Sequence, residues 1–203
     1  MYFILPTLYS LLCVMAPCII YMVFFCKKNT LKHNILILIF MLYCWKVFEL
    51  TGTGGLTDIF YRPDTGRKFS LVQGSVNLVP FSGLNISFIL NIVMCVPLGF
   101  LLPIIWKSYR KIVPVFLAGA LFSLIIEVSQ IITTRATDID DLIANTFGAV
   151  IGFILWAVLS RVVSLKDKSS TVDYLEPYIY ILIGFTGKFL LYFPFWFAFE
   201  VLS

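Results

Sequence analysis

Glu127, Asp138, Asp140 and Asp141 stand close together in this chain, with Gln130 and Arg135 between the first two. Four carboxylates with nearby amides could hold a hard cation such as magnesium through oxygen ligands, which would suit chemistry on a lipid phosphate or pyrophosphate. The Arg and Asn groups could instead grip an anionic headgroup without any reaction. Spacing sorts these residues onto helix faces. Glu127 and Gln130 are three apart, with Ser123 one turn from Glu127. Asp138, Asp141, Asn145, Gly148 and Gly152 recur at three- or four-residue steps, and Ser87, Asn91 and Cys95 are four apart.

Other chemistries lack their residues. The sequence has no P-loop, no Cys/His nucleophilic pair and no Gly-x-Ser-x-Gly elbow. Asp138-Ile-Asp140-Asp141 is an incomplete match to the paired Asp-rich motifs of prenyl-pyrophosphate enzymes, and no second copy exists. The single histidine, His33, sits among lysines and reads as a solvated loop residue; one His cannot build a typical zinc site. The five cysteines fall within or at the ends of apolar runs, so no disulfide framework is implied.

The elements that must position these groups are apolar. Of 203 residues, 60% are hydrophobic and 13% charged, with mean hydropathy +0.97. Soluble domains carry roughly 25% charged residues, so this inventory cannot cover a water-facing surface. That excludes a disordered, fibrous or nucleic-acid-binding chain and a soluble enzyme built on one core. A bilayer-crossing helix needs about 20 apolar residues. Six stretches are read as spans: 2–26, 34–50, 84–106, 112–132, 142–160 and 178–202. The expected fold is all-α, a polytopic transmembrane helical bundle forming one membrane domain over 1–203. The first stretch has no preceding Lys or Arg and no small-x-small cleavage site, so it reads as a span and not a signal peptide.

Positive charge orients the bundle. Lys27, Lys28, Lys32, Lys107, Arg110, Lys111, Arg161, Lys166 and Lys168 lie in the odd loops, against Arg62, Arg67, Lys68 and Arg135 in the even ones. The odd loops are expected in the cytoplasm, with both termini outside. The long exterior loop, 51–83, begins TGTGGLTDIF and has the look of a re-entrant or interfacial segment. Four spans then carry polar groups at one depth, the outer leaflet and exterior mouth.

Bland readings accompany the sharp one. Thr137-Asp138-Ile139-Asp140 fits a capping box, and Gly148-Ala-Val-Ile-Gly152 fits close helix packing. Pro97 and Gly99 suit a kink in the third span. Lys46 and Glu49 read as a mutual pair or as groups snorkelling to headgroups. Lys188, deep in the last span, has no motif around it. Glu127 is harder to set aside, because an ionisable group inside a span costs about 2.5–3.5 kcal/mol. It should face protein and meet a cation, Arg135 or Lys46, or carry a proton.

Taken in order, NLVPF at 77–81, Asn91, VPLGFLLP at 96–103, EVSQ at 127–130 and RATDIDDLIANTFGAVIG at 135–152 resemble the VanZ family. TGTGGLTDI at 51–59 resembles the segment preceding these motifs in relatives from low-GC Gram-positive bacteria. The motif region covers about 51–160, and the apolar segment 178–202 lies beyond it. The resemblance implies a multi-pass protein of the bacterial plasma membrane, associated with glycopeptide resistance of the teicoplanin type without remodelling of the peptidoglycan peptide. It carries no catalytic residues. What it transfers is a motif set that adds Asn77, Pro80, Phe81, Pro97, Gly99, Gly148 and Gly152 to the polar groups.

The sequence favours recognition over catalysis. Its leading reading is an exterior-facing polar pocket of Asn91, Glu127, Gln130, Arg135, Asp138, Asp141 and Asn145 that binds an anionic lipid or a lipid-linked envelope component. The expected partners are membrane lipids, a lipid-linked cell-wall precursor or a lipoglycopeptide, and no nucleic acid. No cofactor is expected, although a divalent cation fits the carboxylates. Two rivals stand beside it: an intramembrane metal-assisted enzyme acting on a lipid phosphate, and a scaffold for another envelope protein.

Overall fold

A backbone surrounded by lipid must satisfy its N–H and C=O groups internally, so an apolar chain of this kind folds as helices. The computed structural model describes residues 4–26, 29–60, 75–81, 86–133, 137–162 and 173–202. Its elements are α1 (Ile4–Phe25), α2 (Leu31–Leu50), the short α3 (Leu56–Phe60), α4 (Ile86–Ile105), α5 (Ile112–Gln130), α6 (Ile139–Val162) and α7 (Glu176–Leu202). Five of them, α1, α2, α4, α5 and α6, are long and apolar enough to cross a membrane. The chain is a multi-pass helical membrane protein. The sixth expected span is occupied by α7, 27 residues long. The beginning of the long second loop contributes α3, which packs against α7.

α6 packs along α4 and α5, while α1 packs on α7 and α2, and α2 reaches α4. Aromatic and aliphatic side chains fill the shared interior, among them Phe40, Phe48, Leu98, Trp106, Phe122 and Tyr180. The outward faces stay apolar: Leu12, Val23, Val93, Leu117 and Val158 are all exposed. Lipid takes the place that water has around a soluble bundle.

The α4–α6 seam is tight because it is built on glycine. A Cβ added at Gly148 would stand 2.2 Å from the Ile92 carbonyl oxygen, and one at Gly152 would stand 2.0 Å from that of Val96. Gly99 approaches α6 from the other side, with a Cβ there 1.7 Å from the Ala149 oxygen. α4 runs as one helix through Pro97 and Pro103. One turn before Pro97, the Met94 carbonyl accepts the Tyr43 hydroxyl at 2.9 Å, tying α4 to α2.

Two charge assignments differ from the sequence reading. His33 is not a solvated loop residue: it lies in the first turn of α2, 1% exposed, with Nε2 3.2 Å from Glu176 Oε2. The Trp106 indole N–H donates to the same carboxylate at 2.7 Å, and the Asn29 amide donates to Oε1 at 3.1 Å. Three elements meet on one buried acid, which the lysines around His33 in sequence do not reveal. Glu49 pairs across the bundle and not with its neighbour Lys46. Lys188 Nζ lies 2.8 Å from Glu49 Oε1 and donates to the Phe48 carbonyl at 2.9 Å. The Ser10 hydroxyl completes the set by donating to Glu49. A buried cation needs this much compensation, and the partners come from distant parts of the chain.

Candidate functional site

At the end of the bundle carrying the acidic cluster, α2 and α6 terminate in ways that fix the polar side chains. α2 closes in a Schellman turn: Thr53 N–H reaches back to the Phe48 carbonyl and Gly52 N–H to that of Glu49. Gly52 takes φ 60°, the left-handed region this turn requires. The turn presents the Thr51 carbonyl to α5, where it accepts the Gln130 amide Nε2–H at 2.8 Å.

α6 begins on a cap. Asp138 Oδ1 accepts the Asp140 N–H at 2.9 Å, so Asp138 is the capping side chain. The Thr137 hydroxyl donates instead to the Glu127 carbonyl at 3.1 Å. Thr137 and Asp138 form strand β2, which pairs in parallel with β1 (Val76–Asn77), Val76 opposite Thr137 and Asn77 opposite Asp138. The Asn77 amide donates to Asp138 Oδ2 at 3.2 Å. Pro80 and Phe81 form the turn that follows; Phe81 has φ 59° and its N–H bonds to Asp140 Oδ1. The segment 77–81 is thereby clamped onto the start of α6 by two of the three aspartates.

Glu127 and Asp141 remain for the interior. Both line a cleft of about 620 Å³ between α2, α4, α5 and α6, together with Gln130, Asn91, Asn145, Ser87 and Lys46. Glu127 is 3% exposed, and its Oε2 accepts the Asp138 N–H at 3.1 Å. Its electrostatic neighbours are the acids Asp141 and Asp138, and among the described residues it forms no ion pair. Asn91 hydrogen-bonds the Asp141 carboxylate. Asn145 is held by two partners: its amide donates to Ser123 at 3.1 Å and its oxygen accepts the Cys95 thiol at 3.4 Å. Leu50, Leu90, Val93, Met94, Pro97 and Ile126 supply apolar wall. Such a mixture, mostly apolar with a few convergent polar groups, is typical of small-molecule sites.

Of the pocket set expected from sequence, Asn91, Glu127, Gln130, Asp141 and Asn145 share this cleft. Asp138 does not line it, being committed to the cap and to Asn77. Arg135 lies outside the described residues. Among the described residues, no group of three or more His, Cys, Asp and Glu is arranged to hold a metal ion. The sequence reading omitted Tyr43, Val47, Leu50 and Thr51. Tyr43, Lys46, Val47 and Leu50 do stand at i, i+3, i+4 and i+7, a helical stripe, but an apolar stripe in a span gives no sign of facing a cleft.

The VanZ/LLP1 family model matches residues 18–160, more than half of the chain. The chain belongs to the VanZ/LLP1 family. Protein VanZ of Enterococcus faecium is 30% identical over 118 residues, covering 57% of this chain and 73% of that protein. No solved structure matches the chain. The family match begins within α1, upstream of the motif region at 51–160, and ends within α6, so α7 and its Lys188 lie outside it.

Proposed function

We propose that this VanZ/LLP1 family member sits in the bacterial plasma membrane with both termini outside and contributes to tolerance of glycopeptide antibiotics of the teicoplanin type. It does so by binding a lipid or lipid-linked envelope component in the cleft between α2, α4, α5 and α6. One observation carries this reading: six polar residues scattered over α4, α5 and α6 converge on a single cleft whose remaining lining is apolar apart from Tyr43, Lys46 and Thr51 on the α2 side. A headgroup would meet the polar groups, while acyl chains would follow Leu90 and Val93, both exposed on the lipid-facing side of α4. Lys46 lines the cleft and is the described cation suited to a headgroup phosphate. Occupancy would alter how the antibiotic engages the membrane or its target.

The test is a resistance assay in a susceptible Gram-positive host. Glu127→Ala or Asp141→Ala should abolish the gain in teicoplanin tolerance while membrane abundance stays at the wild-type level. Tolerance that survives both substitutions at normal abundance would remove the cleft from the function.

A further inference from the structure

We infer that Lys188 of α7 is a positioning residue of the cleft: by donating to the Phe48 carbonyl it fixes the closing turn of α2, and with it the α2 wall and the Gln130 side chain. The inference rests on the cleft being the lipid site and names the residue on which its width depends.

The closing turn of α2 serves two sides. Helical spacing puts Val47, Leu50 and Thr51 on one face and Glu49 on the opposite one. Val47, Leu50 and Thr51 line the cleft, whereas Glu49 turns toward α7 and α1, pairing with Lys188 and accepting the Ser10 hydroxyl. The Phe48 carbonyl holds the turn together. It accepts the Thr53 N–H at 3.2 Å, the Thr53 hydroxyl at 3.2 Å and Lys188 Nζ at 2.9 Å. Two of these donors belong to the turn itself; the third comes from 140 residues along the chain. The Thr51 carbonyl of the same turn accepts the Gln130 amide at 2.8 Å, so the turn that Lys188 grips also holds α5.

The last carbonyls of a helix carry partial negative charge, and a cation placed there is stabilising. Lys188 is buried, so its three ammonium hydrogens must find acceptors in the protein. Glu49 Oε1 and the Phe48 carbonyl supply two of them, and Asp58 of α3 adds a second acid to its surroundings. The ion pair and the carbonyl contact are separable. Lys188→Met with Glu49→Gln removes both charges of the pair and still releases the turn. The family match ends at residue 160, so this hold on the cleft comes from a helix beyond it.

The experiment compares the full wild-type chain with Lys188→Met and with Lys188→Met/Glu49→Gln in bicelles. Hydrogen exchange of the peptide spanning 48–55 reads the turn. Nitroxide labels on Leu50→Cys and Leu90→Cys, in a background without the native cysteines, read the distance across the cleft by double electron–electron resonance. Both positions line the cleft and are more than half exposed. Exchange in the turn should rise about tenfold in both variants, the scale of one hydrogen bond from a charged donor. The distance distribution should broaden in both, although the double variant regains stability. Wild-type exchange or a wild-type distance distribution in the double variant would overturn the inference, because Lys188 would then act on nothing beyond Glu49. A rise in exchange shared equally by peptides of α6 would overturn it in favour of a general loss of stability. Failure of the double variant to fold would also overturn it, since the lysine would then be needed by the whole bundle and not by one turn. Neither readout requires a ligand, so the lipid-binding reading is tested apart from it: the double variant at wild-type abundance should lose teicoplanin tolerance. Full tolerance with a broadened cleft would leave Lys188 as the residue that positions the turn and would remove the cleft from the function.

Discussion

The separation of α4 and α6 sets the shape of the cleft, and it can be changed without touching a lining residue. Asn91 comes from α4, whereas Asp141 and Asn145 come from α6. In Gly152→Ala the new Cβ would start 2.0 Å from the Val96 oxygen, and Cβ atoms essentially never come within 3.0 Å of another heavy atom. The helices must part locally by about 1 Å, because a backbone carbonyl cannot swing aside as a side chain can. Overpacking of this kind costs about 1–3 kcal/mol. The better helix propensity of Ala offsets about 1 kcal/mol of that, leaving a net destabilisation of up to about 2 kcal/mol. Gly184→Ala is the control. Its new Cβ would start 2.5 Å from Met41 Cε, the flexible end of a side chain that can move away. There the two effects should cancel to within about 0.5 kcal/mol. Equilibrium unfolding in bicelles measures both variants, and teicoplanin tolerance of cells expressing them reports on the cleft. Gly152→Ala should lose stability and tolerance together; Gly184→Ala should keep both. Equal stability of the two variants would refute the argument that the α4–α6 seam is limited by backbone contact.

The ion pair between buried Lys188 and half-buried Glu49 makes a second prediction about the fold. Lys188→Met would leave the Glu49 carboxylate in the apolar layer with Ser10 as its described side-chain donor, at a cost of about 3 kcal/mol. Adding Glu49→Gln should recover much of that loss in the same unfolding assay, and a strictly additive double-mutant cycle would show that the two groups do not interact. Sidedness is checked in a background with all five cysteines replaced. Thr134→Cys should react with an impermeant maleimide on intact cells and Lys107→Cys only after permeabilisation. The reverse pattern would invert the topology and place the cleft on the cytoplasmic side.

The helices were legible because lipid solvation leaves a crude signature: long apolar runs broken by clustered charge. Contacts between distant helices left no such signature. Glu49 stands three residues from Lys46, and local spacing suggests that pair; the partner is Lys188, which shares no motif with it and meets it only because α7 packs beside α2. His33 misleads for the same reason. Its flanking lysines look like a wet loop, but Thr30 caps α2 just ahead of it and the ring turns inward to Glu176. The candidate site was more readable, since its residues repeat at helical spacing and helical spacing survives into the fold. Gln130 shows the limit of that reading. Sequence places it on the face of Glu127, but only the turn after α2 determines that its nitrogen is occupied and its oxygen is not.

Geometry also explains why three aspartates in one short run do three different jobs. A helix turns by about 100° per residue, so adjacent side chains cannot share a target. Asp138 stands before the first turn and folds back to cap it. Asp140 points to the Phe81 N–H, and Asp141, one residue on, points into the cleft. A run that reads as one acidic cluster is thus divided into a cap, a clamp and a lining group. That division bears on the two leading readings of the site. A metal-assisted enzyme would need several of these carboxylates to converge on one ion, whereas their described partners are backbone N–H groups and the amides of Asn77 and Asn91 on separate elements. Recognition needs only that the cleft keep Glu127, Asp141 and Gln130 in fixed relation. The cap and the clamp contribute to that, because they hold the start of α6 against the end of α5, where two of those three residues stand.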